Sequence, residues 1–146
     1  MARCLIVANQ TIGGDALTSA VEERIRRGIV DFVLAVPQVP VEVSTGPVSS
    51  TPQRSASVGV ADGRNLAEQR LAVGLDWLAG LGATGSGEVV PDDAVAAVSD
   101  LVEELSVTEV VVSTLPRALS RFLRQDLASK LGRVVTVPIE VVTAAG

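Results

Sequence analysis

RCLIVAN (residues 3–9) and EVVVS (residues 109–113) decide how this chain folds. Each is a short, nearly unbroken apolar run without the polar alternation of a half-exposed strand. Such runs mark strands buried on both faces, which arise where a parallel sheet is covered by helices on either side. Outward from the first run, the spacing predicts a helix over residues 15–27, with Leu17, Val21 and Ile25 on one face. Arg24, Arg26 and Arg27 fall in its last turn, where cations suit the helix dipole, and Gly28 closes it. A second strand is expected over residues 29–36. The next helix, over 65–81, opens with Asn65 and Glu68 in a capping-box-like pair and turns Leu71, Leu75 and Leu78 inward. A short strand over 85–90, weakened by Gly85 and Gly87, leads to a helix over 92–105 with Val95, Val98, Val102 and Leu105 inward. Beyond the second run, a helix over 116–131 precedes a strand over 134–142. Pro138 places that strand at a sheet edge, because proline cannot donate to a ladder. Strands and helices in this alternation imply right-handed crossovers and a parallel sheet.

The 146 residues have the length of one ordinary domain, 1–146. With two Phe, one Trp and no Tyr, the core must be aliphatic. Cys4 stands alone inside the first strand, so it has no internal disulfide partner and reads as a buried, inert thiol. The chain has no histidine, which removes Ser-His-Asp and Cys-His catalysis and Cys/His metal clusters. No catalytic or metal-ligating residue is assigned. The apolar run 4–8 is too short for a signal-peptide core, and nothing approaches the roughly 20 residues of a membrane span. A cytoplasmic protein without membrane contact is expected. The net charge of −5 argues against nucleic acid as a partner, although charge is unevenly placed. Residues 88–109 hold seven acids and no base, whereas 117–133 hold five bases and one acid. An acidic helix beside a basic one can be surface complementarity, or can focus an anion at one end of the sheet. The segment 37–63 carries four of the seven prolines, and six serines and threonines lie between Ser44 and Ser55. It reads as a loop, either solvated or a lid.

Ligands of open α/β sheets bind beyond the carboxyl ends of the strands, where the strand order reverses. With the first strand central and the EVVVS strand beside it, two segments face one crevice. Asn9, Gln10 and Thr11 follow the first strand and can bond a base or sugar, or can cap the following turn and helix. Gly13 and Gly14 then permit close backbone approach or a flexible helix entry. Ser113 and Thr114 lead into Pro116, which suits the first turn of a helix, where free N–H groups attract anions. Arg117 in that turn opposes the dipole, and Arg121 and Arg124 follow on the same face, with Ser120 adding a hydroxyl. Either solvent screens that cationic turn or a small anionic ligand compensates it. Asn9, Gln10, Thr11, Ser113, Thr114, Arg117, Ser120 and Arg121 are therefore the candidate ligand-binding residues.

The LIVAN strand, the long variable segment after the second strand, and the stretch VVVSTLPRALSRFLRQDLASKLGRVVTVPIEVV carry a likeness that covers the chain. The whole chain resembles the universal stress protein family, in the divergent form found in actinobacteria. Eleven arginines to one lysine fit a high-GC genome. The resemblance implies an open five-stranded parallel sheet in the order 3-2-1-4-5 with helices on both faces, Rossmann-like and of adenine nucleotide alpha hydrolase type. It also implies a homodimer joined through the C-terminal edge strand, and an adenine nucleotide or phosphate as the bound group. Family members that bind ATP carry Gly-x-x-Gly, then about nine residues, then Gly-Ser or Gly-Thr. Here Ser113 and Pro116 stand at the first two glycine positions, and Gln125 and Asp126 stand near the final pair. The aspartate that ends the family's first strand is Asn9. A second likeness, to ATP pyrophosphatase-type enzymes, rests on Gly13 and Gly14 alone and lacks the rest of that loop. The expected function is a stress-protein-like regulatory or ligand-sensing module that does not hold ATP in the standard family mode. The alternative is an ATP- or AMP-binding stress protein with a modified phosphate loop. An enzyme is less favoured, with only carboxylates such as Asp15, Asp92 and Asp126 to serve as a base.

Overall fold

The structure is a computed structural model, and it describes residues 2–9, 11–38, 52–91, 94–114 and 124–143. Five strands and four helices alternate: β1 (Arg3–Val7), α1 (Asp15–Arg26), β2 (Asp31–Pro37), α2 (Pro52–Gly80), β3 (Thr84–Val90), α3 (Val95–Glu104), β4 (Glu109–Thr114), α4 (Arg124–Val134) and β5 (Ile139–Thr143). All pairings are parallel and the strand order is β3-β2-β1-β4-β5, as expected. The two apolar runs are the central pair, with Cys4 opposite Glu109 and Val7 opposite Val112.

Because successive side chains on a strand point to opposite faces, each strand feeds two cores. Cys4 and Ile6 of β1, with Phe32, Leu34 and Val36 of β2, meet Leu17 and Val21 of α1 and Leu78 of α2. Leu5 and Val7, with Val33, Val110 and Val112, meet Val98, Leu101 and Val102 of α3 and Leu131 of α4. The acidic α3 and the basic α4 thus lie side by side on one face of the sheet. Trp77 on α2 donates its indole N–H to Thr18 Oγ1 of α1 at 3.1 Å, tying the other two helices together. Among the described residues no helix is long and apolar enough to cross a membrane.

Several boundaries depart from the sequence reading. The helix expected to begin at Asn65 begins at Pro52, inside the segment read as a loop, and Asn65 is an exposed interior residue. Pro52 at the helix start needs no N–H partner, and extending a helix adds one bond for each residue ordered. That cooperativity outweighs the poor propensities of Gly59 and Gly63. At the other end of the chain, α4 continues to Val134, anchored by the fully buried Leu131. The strand read from residue 134 therefore starts at Ile139, and Pro138 lies just before it rather than within it. The carbonyl of Pro138 accepts from the Val110 N–H at 2.9 Å, so the edge placement of β5 stands. Arg24 is not a solvated end-of-helix cation. Only 4% exposed, it donates from Nε to Glu109 Oε1 and from Nη2 to Glu140 Oε1, each at 2.5 Å, and from Nη1 to the Ala20 carbonyl at 3.0 Å.

Candidate functional site

The strand order reverses between β1 and β4, and the chain leaves both strands on the same side of the sheet. After β1 it turns sharply, with Gly14 N–H donating to the Thr11 carbonyl at 3.0 Å. Gly13 sits at φ +81°, the left-handed region that glycine enters without strain. Gly14 is the residue before α1 and its helix has no side-chain cap. Asn9 and Thr11 are therefore free of the capping role that the sequence left open for them.

Both face the end of the sheet instead. Thr11 Oγ1 and Ser113 Oγ lie 2.6 Å apart, and both residues are buried. This hydroxyl pair joins the two segments that the sequence placed in one crevice. Thr114 Oγ1 lies 3.4 Å from Thr143 Oγ1 of β5 and is equally buried. Asn9 is buried as well; its Nδ2 donates to the Pro37 carbonyl at 2.6 Å, linking the ends of β1 and β2. Its Oδ1 accepts from Arg70 Nη1 of α2. Of the candidate residues, Thr11 and Ser113 thus come together, Asn9 is bonded instead to the end of β2 and to α2, and Thr114 to β5; Gln10, Arg117, Ser120 and Arg121 lie outside the described residues.

Arg70 was not among the candidates. Leu66, Gln69, Arg70 and Val73 share one helix face at i, i+3, i+4 and i+7, and with Asn9 and Ile12 they line a cavity of about 210 Å³. Gly74 brings that part of α2 close, since a Cβ there would run into Leu34 and come within 3.2 Å of Ile12. A larger hollow of about 300 Å³ lies at the opposite end of the strands, lined by Ala2, Arg3, Asp31, Glu104, Leu105 and Ser106. Its arginine is already spent, with Nε on Asp31 at 2.8 Å and Nη1 on the Leu105 carbonyl at 2.5 Å. The crevice over β1 and β4 is the better candidate, because there buried hydroxyls converge from separate elements. Among the described residues no three His, Cys, Asp or Glu side chains gather as a metal site.

Solved structures share this architecture over nearly the whole chain. A universal stress protein from Arabidopsis thaliana with AMP bound matches all of this chain and 94% of its own, at TM-score 0.60 and 13% identity. The chain has the universal stress protein fold. The universal stress protein of Archaeoglobus fulgidus in complex with dAMP matches at TM-score 0.58 and 14% identity, covering 97% of each chain. Another universal stress protein, in complex with cAMP, matches at TM-score 0.59 and 18% identity, covering 99% of this chain and 98% of that one. No family model matches the sequence, and no curated protein matches it. The likeness to universal stress proteins is therefore one of fold, with little sequence in common.

Proposed function

We propose that this chain is a regulatory, ligand-sensing module of universal stress protein type, and that it does not hold ATP through a glycine loop. The observation that carries the reading is the buried Thr11–Ser113 hydroxyl pair at the reversal of strand order. A glycine loop offers backbone N–H groups and space; here a side chain stands at the first glycine position and bonds across the crevice. Hydroxyls both donate and accept, so the pair can turn toward a phosphate or sugar oxygen without leaving a buried group unsatisfied. With no histidine in the chain, nothing at this crevice supplies the usual general base. Binding without turnover is the chemistry on offer.

A second reading has its own support. Proteins of this fold are seen with AMP, dAMP and cAMP, which favours an adenine nucleotide as the ligand in a modified mode. The two readings separate in a thermal unfolding series with ATP, AMP, cyclic AMP and phosphate at millimolar concentration. A ligand at about 100 times its dissociation constant stabilises by about 2.7 kcal/mol, which is several degrees for a domain of this size. Stabilisation by phosphate that no adenine nucleotide exceeds, and that falls in Ser113→Ala, supports the first reading. Stabilisation by AMP, cyclic AMP or ATP beyond that of phosphate supports the second. No shift with any of them removes both. The module is further read as a cytoplasmic homodimer joined through β5, where Val141 is 44% exposed on a strand paired on one side only.

A further inference from the structure

Arg70 lines the cavity between the end of β1 and α2, with an unusual partner. Its guanidinium bonds the neutral amide oxygen of Asn9, and no carboxylate among the described residues lies within ion-pair distance of it. The amide is locked in orientation, because Asn9 Nδ2 is committed to the Pro37 carbonyl at 2.6 Å. A guanidinium carries five N–H donors and no acceptor, so among the described residues the bond to Asn9 engages only part of its donor set. An aspartate at this position would neutralise the arginine; the amide holds it in place and leaves its charge intact. Ile12 and Leu66 supply apolar wall beside it, where a charge interacts more strongly than in open water. The cavity of about 210 Å³ has the volume of about seven waters, room for one oxyanion on a short stem.

We propose that Arg70, oriented by Asn9, is the specificity-determining residue of this cavity at the end of β1 and selects a carboxylate or phosphate group of a small ligand. The inference rests on reading the end of β1 as part of a ligand site, and it names the chemistry which that ligand presents on the α2 side. A carboxylate meets the guanidinium fork through two parallel bonds, whereas a phosphate offers more acceptors in a tetrahedral array. Either group satisfies the free donors, while a neutral ligand rich in donors would leave the charge unmatched.

The test is calorimetric titration of the full chain with inorganic phosphate and, separately, malonate, using wild type, Arg70→Gln, Arg70→Lys and Asn9→Asp. Wild type binds at least one of the two, and Arg70→Gln weakens that binding about tenfold or more, the usual worth of a charged hydrogen bond. Asn9→Asp gives a similar loss by pairing the arginine internally. Arg70→Lys retains part of the phosphate binding and less of the malonate binding, since it keeps the charge and loses the fork. The stronger probe identifies the group as phosphate-like or carboxylate-like. Failure of wild type to bind either anion overturns the proposal, and so does binding that Arg70→Gln leaves unchanged. Arg70 is partly exposed, so its variants keep the fold even where Asn9→Asp does not. If Ser113→Ala abolishes nucleotide stabilisation while Arg70→Gln leaves anion binding intact, this inference fails and the ligand-sensing reading survives. If no nucleotide binds but malonate or phosphate binds through Arg70, the nucleotide reading fails and this one stands.

Discussion

Arg24 and Cys4 lie together between α1 and the sheet, and burial acts on them in different ways. Burial alone would lower the Arg24 pKa; the hydrogen bonds to Glu140 and Glu109 more than offset it and hold the group above the ordinary arginine value. The guanidinium thus stays charged however alkaline the solution in which the chain is folded. Arg24→Met leaves Glu109, 16% exposed, with Arg27 at 3.6 Å as its one remaining cation among the described residues, and should destabilise by about 3 kcal/mol in urea unfolding. Glu140→Gln, at a half-exposed side chain, should cost less than about 1 kcal/mol. Equal losses would mean that Glu109 is not the anchor. Burial pushes the Cys4 thiol up from 9.0 to about 12, with Arg24 pulling it down and Glu109 and Glu140 pushing it further up. The folded chain therefore keeps a proton that the unfolded chain releases. The contribution is complete below the unfolded value near 9 and is lost as pH rises toward 12. Between pH 8 and 10.5 wild type should lose about 2 kcal/mol more stability than Cys4→Ala. Parallel curves for the two proteins would contradict the buried, protonated thiol.

β3 shows how an element can look weak in sequence for a reason that lies in another element. Its two glycines share the face on which α2 lies. A Cβ on Gly87 would run into the Leu34 carbonyl oxygen, a backbone atom, and would press Leu71. On Gly85 it would come within 2.9 Å of Leu78 Cδ1, the end of a flexible side chain. Gly87→Ala should therefore cost about 2 kcal/mol and Gly85→Ala less than about 1 kcal/mol, measured by denaturant unfolding. The reverse order would show that α2 yields more readily than the sheet. The same contrast of local and distant signals explains what sequence reading reached. The valine-rich β1 and β4 were legible because burial on both faces writes itself into consecutive residues. Leu17, Val21, Val98 and Val102 were legible because helix periodicity is local. The start of α2 at Pro52 was not, since serine, proline and glycine there mimic a loop while the helix is propagated from its packed half. The segments that carry Thr11 and Ser113 could be brought to one crevice in advance, because a central first strand with the EVVVS strand beside it puts both strand ends at the reversal of strand order. Arg70 could not, because its role depends on how α2 crosses β2 and β3.

At the scale of the molecule, an open sheet leaves two edges, and here they differ in chemistry. Beyond β3 the exposed side chains include Thr84, Ser86 and Glu88, and glycines alternate with them. Such an edge is polar and discourages another strand. β5 instead carries Ile139, Val141 and Val142, with Val141 44% exposed. Its one acid, Glu140, is bound to Arg24 of the same chain, so a second copy meets little uncompensated charge there. A twofold pairing of β5 edges would extend the sheet, and its isologous geometry places Val141 of each copy near the axis. The prediction is a dimer in sedimentation at micromolar concentration. Val141→Lys should convert it to a monomer, since two like charges near the axis repel and each loses its water. Ser86→Lys on the other edge should leave the dimer intact. A dimer that survives Val141→Lys and dissociates on Ser86→Lys would move the interface to β3. A wild-type monomer at that concentration would leave both edges to solvent, and the crevice would then act within one chain.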